Sequence, residues 1–176
     1  MINFFNKEKV FNPKTDLVLI PNKPGIYMVC LKKSISLPKI NIKPIYNQFD
    51  NLDIIYIGIS KKSLRDRDYK THFNGNNAGR STLRKSLGSL FGYKKIPRDL
   101  NNPENGKTKF LEENEIKLSQ WMNESLVLFF NDKLNNYDLE SLEYDLIDYY
   151  RPLLNLSKNY NVDNKNFRKE LKKLRK

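Results

Sequence analysis

Two tyrosines lie in short apolar segments that predict neighbouring strands. Tyr27 belongs to GIYMVCL, residues 25–31, and Tyr56 belongs to DIIYIGI, residues 53–59. β-branched and aromatic residues dominate both segments, which is typical of buried strands. A plain core strand requires neither a phenol nor a glycine in its middle. The two tyrosines are therefore either packing residues or a pair held side by side for chemistry.

A carboxylate falls on the apolar face of the helix predicted by YDLESLEYDLIDYY, residues 137–150. On a helical wheel the apolar arc consists of Leu139, Leu142, Leu146, Ile147, Tyr149 and Tyr150. Glu143 lies inside this arc. Because burial of an unpaired carboxylate is costly, we expect Glu143 to meet a cation there, either a metal ion or an arginine. The alternative is an edge residue whose stem covers the core while its head reaches water.

A basic segment follows the second predicted strand. Its cationic or titratable positions flank a glycine-rich turn and are Arg65, Arg67, Lys70, His72, Arg80, Arg84 and Lys85. Arginine guanidinium groups and the backbone N–H groups at a helix N-terminus both bind phosphate oxygens. The segment therefore predicts phosphate binding, and His72 is a candidate for handling a proton. A solvated face paired with nearby aspartates is the alternative for the arginines.

The overall composition favours a polyanionic partner. The 176 residues carry a net charge of +12, which suits nucleic acid but does not by itself distinguish DNA, RNA and a membrane surface. No apolar run approaches the roughly 18 residues that span a bilayer, and the N-terminus has no signal-type segment. Cys30 is the single cysteine, so an intrachain disulfide is excluded. We expect a cytoplasmic protein with no membrane partner, and the sequence does not indicate its oligomeric state.

Three strands and four helices are predicted around these residues. The strands are residues 25–31, 53–59 and 125–131, and the helices are residues 62–73, 81–92, 108–122 and 137–150. Ser81 is the expected N-cap of the second helix, and Pro152 is expected to end the last one. The order β, β, α, α, α, β, α indicates an α+β domain with a small antiparallel or mixed sheet flanked by helices.

The chain is expected to divide into a lead-in, a core domain and a tail. These are residues 1–23, 24–157 and 158–176. Within the core, residues 32–52 predict a long inserted loop, because prolines and scattered Asn and Lys suit no regular element. The basic tail is expected to be a frayed helix or disordered.

Together these motifs resemble those of the GIY-YIG nuclease superfamily. The matching pieces are GIY at Gly25–Tyr27, YIG at Tyr56–Gly58, an arginine helix ending at His72 and Phe73, Glu143 on a helix, and RPLLN ending at Asn155. Each piece is weak alone, but five in the same order are specific. The resemblance implies a three-stranded antiparallel sheet with surrounding helices, and cleavage of DNA by metal-assisted phosphodiester hydrolysis. It also implies that the two tyrosines face one active site, with Gly58 allowing close approach.

The resemblance assigns a role to each matching residue. Glu143 would hold one divalent cation, Mg²⁺ or Mn²⁺, and an arginine would stabilise the transition state. Tyr27 would take a proton from water, and Tyr56 would position the water or the phosphate. His72 would hydrogen-bond a tyrosine or the leaving side. The residues with structural or flanking roles would be Gly25, Gly58 and Asn155 near the site, and Lys70, Arg80, Arg84 and Lys85 on flanking phosphates.

The resemblance leaves two features open. Counting three residues on from Leu64 selects Arg67 as the family's arginine, whereas counting back by helical turns from His72 selects Arg65. The spacing contains one residue more than the commonest pattern; we favour Arg67 and keep Arg65 open. The loop at residues 32–52 is longer than in the shortest members and is a candidate for shaping substrate choice.

Two alternatives compete with a DNA-cutting enzyme. The first is a catalytically silent module of the same fold that binds nucleic acid through its positive charge. The second is an RNA-associated protein whose Tyr27 and Tyr56 stack on exposed bases, as aromatic residues do in single-strand binders. Buried tyrosines would argue against the second alternative. DNA is the expected partner in preference to RNA.

Overall fold

A computed structural model describes residues 4–16, 19–74, 78–134 and 138–176, with no side-chain description for residues 68 and 69. The strands are β1 (Gly25–Leu31), β2 (Gln48–Phe49), β3 (Leu52–Ser60), β4 (Lys95–Pro97), β5 (Thr108–Phe110) and β6 (Leu126–Asn131). The α-helices are α1 (Thr82–Leu90), α2 (Glu112–Ser125), α3 (Leu139–Tyr150) and α4 (Lys165–Leu174), and a π-helix spans Arg65–Phe73. None of the described helices has the length and apolar character to cross a membrane.

The main sheet is antiparallel and has the strand order β2-β3-β1-β6. It has four strands, so the expectation of three was wrong, although the α+β class is confirmed. The strand that was not predicted, β2, is two residues long and lies inside the predicted loop. Asp50 and Asn51 join it to β3 with φ angles of 51° and 61°, a turn conformation that suits a tight hairpin and that Asp and Asn tolerate. A separate hairpin is formed by β4 and β5.

Both faces of the sheet are covered. On one face α1, α2 and α4 contribute to a core cluster that includes Tyr27, Val29 and Tyr56. On the opposite face α3 and the N-terminal Phe5 pack against the alternate side chains of the strands. Because side chains alternate along a strand, β1 is buried along its whole length. The central strand that carries Tyr27 is therefore held by packing on both sides.

The helix predicted at residues 62–73 is a π-helix. Ser63 supports its first turn, because its Oγ accepts a hydrogen bond from the Asp66 N–H at 3.0 Å. Hydrogen bonds in a π-helix join residues five apart, one residue more than the four of an α-helix. Arg67 and His72 are five residues apart. The extra residue noted in the sequence spacing is accommodated in this way.

Two predicted helix boundaries are confirmed. Ser81 caps α1 by accepting the Arg84 N–H at 3.0 Å. The last predicted helix ends at Tyr150, one residue before the left-handed Arg151 and two before Pro152. The predicted apolar face of that helix was wrong at Tyr149, whose side chain is 58% exposed.

The C-terminal segment forms a packed helix, α4, instead of the frayed or disordered tail that we expected. Phe167 and Leu171 are buried against the core that α1 and α2 share. Lys95 Nζ donates a hydrogen bond to the Leu174 carbonyl at 2.7 Å, which fixes the end of the helix. The end of the chain is thus part of the folded unit.

Candidate active site

Tyr27 and Tyr56 stand side by side on β1 and β3. In the strand register Tyr27 lies opposite Gly58 and Val29 lies opposite Tyr56, so both rings project from the same face. Their ring centroids are 6.1 Å apart. Both tyrosines are buried, with 1% and 7% of their surfaces exposed. The burial of both rings argues against the base-stacking alternative.

Gly58 permits this close approach. A Cβ atom added at Gly58 would lie 2.6 Å from Tyr27 Cζ and 2.9 Å from Tyr56 Cε1, well inside van der Waals contact. Gly25 is equally confined, because a Cβ there would lie 2.6 Å from the Asn131 carbonyl oxygen. Both positions therefore require glycine because a side chain would not fit there, and not because of their backbone conformation.

His72 connects Tyr27 to the start of α1. Its Nε2 lies 2.7 Å from Tyr27 Oη, and its Nδ1 lies 2.6 Å from Ser81 Oγ. Ser81 Oγ already accepts the Arg84 N–H, so its own proton is available for Nδ1. In the tautomer with a proton on Nε2, His72 donates to the Tyr27 oxygen; in the other tautomer Nδ1–H donates to Ser81 Oγ and Nε2 accepts from the phenol. A donor at that oxygen stabilises the phenolate form of Tyr27.

The ring of His72 is electrically neutral. Burial, followed by the nearby charges of Arg67 and Arg84, holds the pKa of His72 well below its usual value of 6.5. Burial likewise raises the pKa of Tyr56, although hydrogen bonds from Thr82 and Tyr27 and the charge of Arg67 oppose the shift. Tyr56 is therefore a neutral phenol next to a neutral imidazole.

Glu143 projects from α3 into a small cavity beside Tyr56. The cavity has a volume of about 60 Å³, and its polar lining consists of Tyr56, Thr82, Glu143, Asn155, Ser157, Lys158 and Arg175. Glu143 Oε2 lies 3.0 Å from Lys158 Nζ, and its side chain is 16% exposed. The cation that it meets within the described part of the chain is thus a lysine and not the arginine that we considered. Lys158 has a φ of 59°, a conformation uncommon for a residue with a side chain.

Asn155 forms hydrogen bonds with the part of the β3 edge that the short strand β2 leaves unpaired. Its Nδ2 donates to the Ile57 carbonyl at 2.8 Å, and its Oδ1 accepts the Ile57 N–H at 2.9 Å. The preceding residue, Leu154, donates its N–H to the Ile55 carbonyl at 2.8 Å. Backbone groups that flank Tyr56 are therefore paired, and the strand cannot shift its register without breaking these bonds.

The structure separates Arg67 from Arg65. The charge of Arg67 acts on both Tyr56 and His72, and its Nη1 donates to the Arg80 carbonyl at 3.3 Å. Arg65 instead donates its Nε to the carbonyl of Ile20 at 2.9 Å, towards the N-terminal segment. Of these two arginines, Arg67 is the one whose charge is found to act on the tyrosine pair.

A comparison with family models matches residues 25–176, most of the chain, to the model described as the GIY-YIG catalytic domain. The chain belongs to the GIY-YIG family. Searches of curated proteins and of solved structures gave no match. The antiparallel sheet with its surrounding helices agrees with this family. The matched domain indicates a nuclease. The matched region includes α4.

One residue predicted to contact phosphate is wrongly placed for that role. Arg84 is fully buried, and its Nη2 lies 2.7 Å from Glu115 Oε2. Its Nη1 also donates to the His72 carbonyl at 2.8 Å, so the guanidinium group supports the site from behind. Glu115 in turn accepts the Ala78 N–H at 2.8 Å. Arg84 is therefore a structural residue of this GIY-YIG domain.

The other three predicted phosphate contacts differ in their surroundings. Arg80 is exposed next to α1, and Lys85 is partly buried on that helix. Lys70 is exposed and forms an ion pair with Asp66 at 2.7 Å. Residues 75–77 of the glycine-rich turn lie outside the described residues.

Glu143 is a single carboxylate and not part of a preformed metal cluster. Among the described residues, no group of three His, Cys, Asp or Glu side chains is arranged to hold a metal ion. The donors in the cavity are hard oxygen atoms, from the carboxylate and from the hydroxyl group of Thr82. Mg²⁺ accepts such a site, because it commonly keeps several waters and takes one or two carboxylates. Glu143 and this hydroxyl group are ligands that suit a hydrated divalent ion, whereas the positive charges of Lys158 and Arg175 in the same cavity oppose its binding.

Sequence reasoning missed four polar residues that line this cavity: Thr82, Ser157, Lys158 and Arg175. Thr82 Oγ1 lies 2.9 Å from Tyr56 Oη. Lys158 and Arg175 belong to the segment that was expected to be a tail. Neither carries a motif, and only the folding of α4 against α1 brings Arg175 to the site.

Proposed function

We propose that this GIY-YIG protein is a metal-dependent endonuclease that hydrolyses phosphodiester bonds in DNA. The observation that carries the proposal is the buried hydrogen bond of 2.7 Å between Tyr27 Oη and His72 Nε2, beside Tyr56 and Arg67. A packing tyrosine does not require a neutral imidazole donor. A general base gains from a donor at this oxygen, because the donor stabilises the phenolate.

In this proposal Tyr27 removes the proton from the attacking water. An unperturbed tyrosine has a pKa near 10, so its phenolate must be stabilised by nearby donors or positive charge. His72 supplies the hydrogen bond, and Arg67 supplies a fixed positive charge that also stabilises the developing charge on the phosphate. Tyr56, held by Thr82 at 2.9 Å, orients the water or a phosphate oxygen.

Glu143 is the residue that holds the divalent cation, Mg²⁺ or Mn²⁺. Bound there, the ion supplies positive charge to the scissile phosphate and the leaving oxygen. Lys158 Nζ lies 3.0 Å from the same carboxylate. When the ion binds, the ammonium group must either stay in contact with Glu143 beside the ion or move away from it. Outside the site, Arg80, Lys85 and Lys70 are proposed to contact flanking phosphates, which adds affinity without reading sequence.

A catalytically silent DNA-binding module is the second candidate. The Lys158–Glu143 ion pair favours it, because a carboxylate that is already neutralised has no need of a metal ion. The two functions make different predictions for metal dependence.

The test is cleavage of supercoiled plasmid by the wild type and by Glu143→Ala, each with Mg²⁺, Mn²⁺ or EDTA. Loss of several kcal/mol of metal-derived stabilisation predicts a rate at least about 100-fold lower for Glu143→Ala, with DNA binding retained. EDTA should abolish cleavage by the wild type. Glu140→Ala is the matched control, since Glu140 is an exposed carboxylate on the same helix, paired with Lys61.

Each outcome of this test decides between the candidates. Metal-dependent cleavage by the wild type and by Glu140→Ala, but not by Glu143→Ala, supports the nuclease. Binding without cleavage by all three proteins, on DNA and on an RNA duplex, supports the silent module. Cleavage of RNA alone would overturn the assignment of DNA as substrate.

A further inference from the structure

Arg175 reaches the candidate active site from the C-terminal end of α4. It lines the same cavity as Tyr56 and Glu143, on a part of the chain that no motif of the family covers. Its N–H donates to the Leu171 carbonyl at 3.0 Å, which continues the helical hydrogen bonding of α4. The side chain is partly buried. Arg175 is therefore held at the site by folded structure.

The guanidinium group of Arg175 has no acidic partner among the described residues. The hydrogen bond recorded for its side chain is a long one, 3.4 Å from Nη1 to Ser86 Oγ. The ion pairs found in the described part of the chain involve other cations. A partly buried cation without a counter-charge is unfavourable, and burial lowers the pKa of Arg175 accordingly. An anionic ligand would remove this cost.

Two further cations lie close to Arg175. Burial lowers the pKa of Lys85, and the charges of Arg175 and Lys95 lower it further, which places the three groups near one another. Lys95 Nζ also donates to the carbonyl of Leu174, the residue before Arg175. Like charges that lie near one another raise the local positive potential and attract a polyanion.

We propose that Arg175 is a substrate-binding catalytic residue that holds a phosphate oxygen of the strand being cut, from the side of the cavity formed by α4. A guanidinium fork matches phosphate oxygens with two parallel hydrogen bonds, which a lysine cannot reproduce. The charge of Arg67, from the π-helix, also acts on Tyr56, so the phosphate would lie between one arginine of the π-helix and one at the end of α4. This inference rests on the proposed nuclease function and adds a residue to it.

The test compares Arg175→Met and Arg175→Lys with the wild type. Methionine keeps the apolar stem that packs on the fold and removes the charge. We expect kcat/KM for DNA cleavage to fall about 100-fold in Arg175→Met, as for loss of one transition-state donor, with only partial recovery in Arg175→Lys. Lys172→Ala is the matched control, because Lys172 is an exposed cation in the same last turn of α4. It should change the rate less than about threefold.

A second measurement does not depend on cleavage. Titration of inorganic phosphate and of a short duplex into the protein, followed by NMR of arginine side-chain N–H groups, should shift the Arg175 signal and leave Arg168 unchanged. If the wild type cuts no DNA but the Arg175 signal shifts, the nuclease proposal fails and the phosphate site stands. If Arg175→Met cleaves as fast as Lys172→Ala, or the Arg175 signal does not respond to duplex, the inference is overturned.

Discussion

At the scale of single residues, the site depends on how closely Tyr27 approaches the backbone at Gly58. The ring of Tyr27 occupies the space that a side chain at Gly58 would need. Gly58→Ala must therefore displace Tyr27 or spread β1 and β3. A misplacement of about 1 Å at a catalytic group lowers rates about 100-fold, so we expect Gly58→Ala to lose about that factor in kcat.

The control for this prediction is Gly88→Ala. A Cβ atom at Gly88 would lie 2.6 Å from Phe110 Cζ, in the core and away from the tyrosines. Both variants should lower the melting temperature, and only Gly58→Ala should lower kcat at a temperature where both are folded. Equal activity of the two folded variants would show that the Tyr27 position is not critical.

The resemblance to the GIY-YIG family predicted the tyrosine pair, His72 and Glu143 as members of one site, because each belongs to a matching motif. The pattern of residue types did not predict that Arg84 is buried and paired with Glu115. A basic side chain in a basic segment is expected to contact phosphate. Nothing in the neighbouring sequence indicates that Glu115, on another helix, neutralises Arg84 in the core. A pattern of residue types along the chain does not show which residues distant in sequence form a pair in the fold.

At the scale of elements, the π-helix decides which arginine faces the tyrosines. We expect Arg67→Ala to lower kcat about 100- to 1,000-fold, as for loss of a charge aimed at the transition state. Arg65→Ala should instead remove the hydrogen bond to the Ile20 carbonyl and lower the free energy of unfolding by about 1 kcal/mol, with kcat nearly unchanged. Steady-state kinetics and chemical denaturation of both variants make the comparison. A larger loss of kcat in Arg65→Ala would reverse the assignment.

Elements with strong local signals were predicted, and elements that depend on a partner were not. The three long strands and the cap at Ser81 follow from apolar runs and from side-chain capping, which act over a few residues. The two-residue β2 and the β4–β5 hairpin are too short to show a period. α4 looked like a basic tail, because the burial of Phe167 and Leu171 requires α1 as a partner.

At the scale of the whole molecule, His72 links the stability of the fold to pH. It is the only histidine in the chain and is fully buried, with its pKa well below 6.5. Below pH 6.5 the unfolded chain takes up a proton at this residue, whereas the folded chain does not until its lower pKa is reached. The unfolded state therefore binds more protons in this window, and stability falls as the pH falls.

The slope of this dependence is set by one group. A single histidine can contribute at most about 1.4 kcal/mol per pH unit to the free energy of unfolding. We expect the wild type to have constant stability above about pH 7 and to lose stability towards pH 5, as measured by urea denaturation at half-unit steps. His72→Gln should flatten this slope between pH 7 and pH 5 even if it lowers the overall stability. If both proteins show the same slope, the carboxylates and not His72 control acid stability, and the neutral imidazole on which the Tyr27 mechanism depends would lose its support.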